Sequence, residues 1–278
     1  MRLCLHPKSA KSLSFLSCLS IPLLLTHGVF VIAATDGNEV VDDVCSNYDY
    51  ACDNDPHWMM DIDIKLTAMW DRLECTELFE DDRPVPNESI WALMRGSYIG
   101  VVGPENNSMM AVVEKNQFFG NGFKPGSVEV KHKEGRGRGV YAKEAFAVGE
   151  LVWSDSYTAC FNDGMSYRRF LASIPADLAC DVFQWAYSGE SYGICVDLDE
   201  GSLMNHASSM DKKGKEYQWE IDDDTPNVAV SAENSSGTQQ YVAIQEINPG
   251  DEFLVDYGSF AQKHAWERFG LGTWVWDD

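Results

Sequence analysis

From Gly135 to Gly139 every second residue is glycine, in the run Gly135-Arg136-Gly137-Arg138-Gly139-Val140-Tyr141-Ala142. Glycine lets a backbone turn tightly and lets another chain or a ligand come close to main-chain N–H and C=O groups. This run therefore limits the possible folds more than any other stretch of the chain. It is not a dinucleotide fingerprint, which would need Gly or Ala where Val140 stands. It is not a phosphate-cradling loop either, since Lys and Ser or Thr are missing at the required offset. Taken alone, it reads as a tight turn between two strands. Three further short segments follow in order: Gly149-Glu150, Asn205-His206, and Gly250-Asp251-Glu252-Phe253-Leu254-Val255-Asp256-Tyr257-Gly258. His206 has no carboxylate or cysteine at metal-ligand spacing and no evident nucleophile to serve as base for.

Around these motifs the residue pattern implies an α+β organisation. Met59, Ile62, Leu66, Met69, Trp70 and Leu73 recur at steps of three and four, which predicts a helix from His57 to Phe79. Asn87 caps a short helix through Met94 that Gly96 should end, and residues 96–126 read as loop with short strands at 98–102 and 109–113. From Ser127 the pattern changes. Strands are expected at 127–133, 139–142 and 150–154, then a helical stretch at 165–188 broken by Pro175. Further strands are expected near 193–197, 227–231, 241–245 and 252–257, with a polar, acidic insertion at 208–225. Many short strands with one helical insert suggest several small sheets in an α+β domain.

Charge and cysteine content narrow the functional classes. The 278 residues include 21 basic and 44 acidic side chains, a formal net charge of −23. That balance argues against direct nucleic-acid binding, which needs clustered Lys and Arg. It suits solubility, or attraction of a basic peptide. Residues 1–34 have the layout of a secretory signal peptide: Arg2, Lys8 and Lys11, then an apolar stretch, then Ala33-Ala34-Thr35. A signal anchor is the alternative, and membrane contact is expected only in that case. The expected location is the secretory pathway or the extracellular space, or the nucleus or cytoplasm if the segment does not work as a signal. Six of the eight cysteines lie beyond this segment. They permit disulfides, with Cys45 and Cys52 the natural local pair, or remain as buried thiols. No Cys-x-x-Cys pair is present, so no metal site is expected. Sequons stand at Asn87, Asn106 and Asn234.

Read in order, the motifs resemble the SET-domain family of protein lysine methyltransferases. Gly137-Arg138-Gly139 is similar to the family's opening Gly-x-Gly, and Gly149-Glu150 to the Gly-Glu that begins its next strand. Gly201-Ser202-Leu203-Met204-Asn205-His206 is similar to the Asn-His-Ser segment, Pro226-Asn227 to the Pro-Asn after it, and Ile247–Gly258 to the closing Asp-Tyr-Gly. The resemblance implies a SET fold over residues 127–258, built of several small β-sheets with a pseudo-knot and a helical insert. A partly helical region at 35–126 would precede it and an aromatic flank at 259–278 would follow. It implies S-adenosylmethionine as cofactor, held by Gly137, Arg138, Gly139, Asn205, His206 and Tyr257, with Trp266 as a covering aromatic. Tyr257 would be the catalytic residue and a lysine-bearing protein or peptide the substrate, with Tyr157, Tyr187 and Tyr192 as channel candidates. Ala207 replaces the family's Ser, the 208–225 insertion is long, and no cysteine triplet follows Tyr257. A catalytically inactive SET-fold interaction protein of the secretory pathway is the alternative.

Overall fold

The computed structural model describes residues 56–78, 83–107, 109, 122–133, 136–189, 193–207, 225–231, 239–259 and 265–272, all within one compact unit, Tyr48–Asp278. The segment 1–34, Cys45, Cys52, Tyr192, Asn234 and nearly all of the 208–225 insertion lie outside the described residues. Among the described residues no helix is long and apolar enough to cross a membrane.

The N-terminal region is helical in pieces. A 3-10 turn, Pro56–Met60, leads to α1 (Leu66–Arg72) and α2 (Cys75–Leu78) in place of one continuous helix. The interruption has a visible cause. Arg168, 2% exposed, sends its guanidinium to the carbonyls of Met59 and Asp61, each at 3.1 Å, and to that of Ile64. Carbonyls turned toward Arg168 are not available to a regular helix, and Ile62 is left facing solvent. Glu74, with φ 57°, separates α1 from α2.

α3 (Glu88–Val102) starts where Asn87 accepts hydrogen bonds from the N–H groups of Ser89 and Ile90, but it runs through Gly96 and Gly100 to Gly103. Ile90, Trp91, Met94 and Tyr98 are buried along one face, while Gly96 and Gly100 lie on the exposed side with nothing near them. Burial of that face outweighs the roughly 1 kcal/mol that each interior glycine costs. The helix thus takes up 98–102, where a strand was expected. The strand expected at 109–113 falls outside the described residues apart from Met109.

The rest is a set of small sheets. β1 (Val128–Lys133) and β2 (Gly137–Ala142) form an antiparallel hairpin with Lys133 opposite Gly137. β3 (Leu151–Ser154), β9 (Gln240–Ala243) and β8 (Val228–Val230) form a second sheet in the order β3-β9-β8. β4 (Thr158–Phe161), β6 (Gly193–Asp197) and β5 (Tyr187–Gly189) form a third, in the order β4-β6-β5. β4 and β5 were not foreseen, and β5 takes up the end of the expected 165–188 helix. β7 (Asn205–His206) pairs in parallel with β10 (Leu254–Val255).

Between β4 and β5 lie α4 (Gly164–Ala172) and α5 (Ala176–Trp185), divided at Pro175 as expected. Phe161 is the centre of the layer they share with the sheet, with ring centroids 5.2 Å from Tyr98, 5.4 Å from Tyr167 and 5.2 Å from Phe170. A second aromatic group joins Phe123, Phe146 and Phe253. α6 (Ala265–Arg268) packs near β5.

Two disulfides occur among the described residues. Cys75–Cys180 ties α2 to α5 across 105 residues, and Cys160–Cys195 ties β4 to β6. Closing a loop of about 100 residues restricts the unfolded chain by an amount worth about 4–5 kcal/mol in the chain-entropy account.

The Arg168 arrangement yields a direct expectation. Arg168→Met keeps most of the side-chain bulk but leaves three carbonyls without their shared donor. It should lower the unfolding free energy by about 2–4 kcal/mol. Urea denaturation measures this, and limited proteolysis should cut the segment 59–64 first in the variant.

Candidate active site

The three motifs meet at one carboxylate. The hairpin turn, with Gly137 at φ 70°, brings β2 back beside the Glu252 segment, where Tyr141 bridges to Glu252. Asn205 then joins both. Its amide nitrogen donates to the Arg138 carbonyl at 3.0 Å and to Glu252 Oε1 at 2.7 Å. The other oxygen, Glu252 Oε2, lies 3.3 Å from Arg136 Nη1 and 3.5 Å from Lys133 Nζ. Gly139 is required at this junction. A Cβ there would come within 2.4 Å of Glu252 Oε1 and 3.0 Å of the Asn205 amide nitrogen. Burial, followed by the charge of Glu252, pushes the Tyr141 hydroxyl up to about 12.

The closing segment is held from two sides. Asn227 accepts the N–H of Leu254 at 2.8 Å and donates its amide to the Glu252 carbonyl at 2.7 Å. On the other side Ala207 N–H donates to the Val255 carbonyl at 3.0 Å. His206 Nδ1 lies 3.1 Å from the Tyr257 N–H nitrogen and 3.3 Å from the Val255 carbonyl oxygen, so the ring touches both sides of the closing segment. The His206 and Tyr257 rings lie 5.1 Å apart. Tyr257 is 39% exposed as a residue, but its hydroxyl end is buried and donates to the Met204 carbonyl at 2.7 Å. Burial of that end, together with the charges of Asp197 and Glu252, raises the hydroxyl above the usual phenol value, so it stays protonated.

The turn that delivers Asn205 is capped by Asp199. This buried carboxylate accepts the Gly201 N–H at 2.8 Å and faces Trp153 Nε1 at 3.1 and 3.2 Å. Burial, and then the charge of Asp197, raises the Asp199 carboxyl well above the usual range.

Gly137, Gly139, Asn205, His206 and Tyr257 are therefore gathered around one region. Arg138 belongs to it through its backbone alone. Its side chain turns away to form a paired contact with Asp181, Nη2 to Oδ1 at 2.6 Å and Nη1 to Oδ2 at 3.2 Å, and it lies over the Trp185 ring. Trp266 is buried against Tyr167, with ring centroids 5.8 Å apart. Of the channel candidates, Tyr157 stacks under Arg95 and Tyr187 reaches toward Asp197. Glu252, Asn227 and Met204 escaped the sequence reading as individual site residues. Glu252 had a signal, since it is an acid set directly before the apolar run Phe253-Leu254-Val255. Among the described residues no group of three or more His, Cys, Asp and Glu side chains converges as a metal site.

A family model for the SET domain matches residues 137–258. Those residues are a SET domain. The domain begins at the β2 glycines and ends just after Tyr257, and β1 pairs with it from outside the matched span. By sequence, no curated protein matches the chain. Similar solved structures include the Chaetomium thermophilum Polycomb repressive complex 2 in an autoinhibited conformation bound to S-adenosylmethionine, at 17% identity over 49% of this chain and 15% of that one, TM-score 0.32. KRYPTONITE in complex with mCHG DNA and SAH is 17% identical over 50% of this chain and 25% of that one, TM-score 0.29. A Plasmodium falciparum candidate histone methyltransferase is 20% identical over 51% of this chain and 96% of that one, TM-score 0.28. The chain spans a quarter or less of the Polycomb and KRYPTONITE chains.

Two expectations follow from this geometry. Gly139→Ala should displace Glu252 or Asn205 and lower stability by about 1–3 kcal/mol, read by thermal denaturation. The second concerns pH. Burial raises the carboxyls of Asp155 and Asp177 to about 6 and that of Asp197 to about 7. The folded protein therefore holds these protons more tightly than the unfolded chain. Their stabilising contribution is full below the ordinary aspartate value near 4 and is lost as pH rises through about 6 to 7. The melting temperature should fall from pH 5 to pH 8, and Asp197→Asn should flatten the upper part of that fall.

Proposed function

We propose that the chain is an S-adenosylmethionine-dependent protein lysine N-methyltransferase. The observation that carries this reading is the convergence of Gly139, Asn205 and Glu252 beside Tyr257, whose hydroxyl is fixed on the Met204 carbonyl. When bound, S-adenosylmethionine supplies an activated methyl group on a positively charged sulfur. The backbone of Gly137–Gly139 and of His206, with the Asn205 amide, would hold it. Gly139 lets Glu252 and the Asn205 amide pack against the β2 backbone, which sets the Asn205 amide in place.

The remaining work falls to this chain's own residues. In-line displacement depends on alignment, so a fixed hydroxyl and carbonyl are worth more than mobile ones. The Tyr257 hydroxyl donates its hydrogen to the Met204 carbonyl, which fixes the oxygen where it could face a polarised methyl or a substrate N–H. The substrate amine must be neutral to attack, against an ordinary lysine value of about 10.4. Apolar surroundings and a nearby positive charge both favour that form. The net charge of −23 favours a basic, lysine-bearing partner.

The same proposal sets the protein in the secretory pathway. Its support is the Cys75–Cys180 and Cys160–Cys195 pairs, which persist in oxidising compartments, together with the apolar segment within residues 1–34.

Calorimetry of S-adenosylmethionine binding to the purified full chain tests the reading. Wild type should bind, and Asn205→Ala should weaken binding by about tenfold or more through loss of two hydrogen bonds. Tyr257→Phe should keep cofactor affinity while methyl transfer to a lysine-peptide library falls by about a hundredfold. A folded wild type that takes up no cofactor would leave the inactive interaction-protein reading.

A further inference from the structure

The β4-β6-β5 sheet has two faces of opposite chemistry. Side chains alternate along a strand, so positions two apart share a face. Ala159, Phe161, Ile194 and Val196 form one face and are wholly buried against the helical layer. Thr158 and Cys160 on β4, Cys195 and Asp197 on β6, and Tyr187 on β5 form the other. That second face is not sealed, for Asp197, Cys160 and Tyr187 are only half-buried. The Cys160–Cys195 disulfide fixes the two strands two pairs along from the Thr158–Asp197 pair, on the same face.

Asp197 is held firmly and left without a counter-charge. Thr158 Oγ1 donates to its Oδ1 at 2.6 Å, and the Tyr187 hydroxyl approaches the same oxygen at 3.5 Å. Ser202 Oγ donates to its backbone carbonyl. Among the described residues no Lys or Arg pairs with it, and its Oδ2 accepts no hydrogen bond. Asp155 Oδ1, a buried oxygen close enough for the two carboxyls to feel each other, also lacks a partner. Ser202 ties the turn that follows to the Asp197 strand, and the end of that turn carries the Met204 carbonyl that holds the Tyr257 hydroxyl. The charge of Asp197 acts on the Tyr187, Tyr241 and Tyr257 hydroxyls. A carboxylate so placed is costly unless a cation or a proton joins it.

We propose that Asp197 is the docking carboxylate for the substrate amine, receiving the N–H of a lysine ammonium through Oδ2 and taking its proton. The inference rests on the methyltransferase reading above. The proton passes from the ammonium nitrogen to Oδ2, leaving a neutral amine and a carboxylic acid, with total charge unchanged. Burial, which already raises this carboxyl to about 7, suits it to hold that proton near neutral pH. Asp197 is thereby also a specificity residue. An amine with an N–H to give can use it, and a quaternary ammonium cannot, so the site favours lysines of lower methylation state.

The test uses the full chain saturated with S-adenosylhomocysteine, with n-butylammonium as the probe and calorimetry as the readout. Wild type should bind n-butylammonium and bind n-butyltrimethylammonium about tenfold to a hundredfold more weakly. Asp197→Asn should lose the first by a similar factor while keeping its S-adenosylhomocysteine affinity. Equal binding of the two ammonium ions by wild type overturns the proposal even if the variant does not fold. So does undiminished n-butylammonium binding by Asp197→Asn. Absence of S-adenosylhomocysteine binding by folded wild type instead removes the methyltransferase reading itself, and this inference with it.

Discussion

The carboxylate of Asp181, wholly buried, is where the separate parts of this protein are joined. It receives Arg138 from β2 in a paired contact and Arg83 from the N-terminal region at 3.2 Å, while sitting on α5 of the helical insert. Arg138 also donates to the Pro84 carbonyl. Taking these charges out of water is expensive, and the geometry offsets it with several hydrogen bonds to one acid. Removing Asp181 would deprive both arginines of their shared acid. The arrangement therefore acts less as a source of stability than as a requirement that three segments be in register together. Through the Arg138 backbone, that requirement extends to the Asn205 amide and so to the candidate site.

The site itself is built on the same plan of shared partners. Glu252 is touched by Asn205, Arg136 and Lys133, and Gly139 leaves it room. Asn227 fastens the strand after it by both ends of one amide. Residues more than a hundred positions apart are thus set by a few polar side chains. The aromatic groups around Phe161 and Phe253 supply the apolar burial beneath them.

Much of this was legible because the motifs are backbone statements. Gly137 marks a left-handed backbone position and Gly139 a place where a Cβ does not fit, and a glycine run announces both. The hairpin, most strands of the second sheet and the Pro175 break follow from alternation and helix punctuation. What could not be read depended on distant partners. Nothing local in Met59–Leu73 says that Arg168 will claim its carbonyls, so one helix was expected where two short ones stand. Gly96 looked like a stop because the buried stripe of α3 outweighs it only in the packed domain. The side chain of Arg138 and its backbone point to different duties, which a motif cannot separate. Nothing local reveals what Asp197 or Glu252 will pair with, because their burial and partners come from distant segments.

The two disulfides interlock in sequence: Cys75 pairs with Cys180, and Cys160, which lies between them, pairs with Cys195. A chain emerging from its N-terminus into an oxidising compartment meets Cys160 as a partner for Cys75 before Cys180 exists. Joining each cysteine of these four to the next in order would give 75–160 and 180–195, both wrong. Correct pairing thus depends on the β4-β6 sheet and the α2–α5 contact forming before oxidation, or on exchange afterwards. If the chain folds in the oxidising compartment proposed above, biogenesis of this domain is coupled to thiol–disulfide isomerisation, and its yield in a heterologous host follows that host's capacity for it.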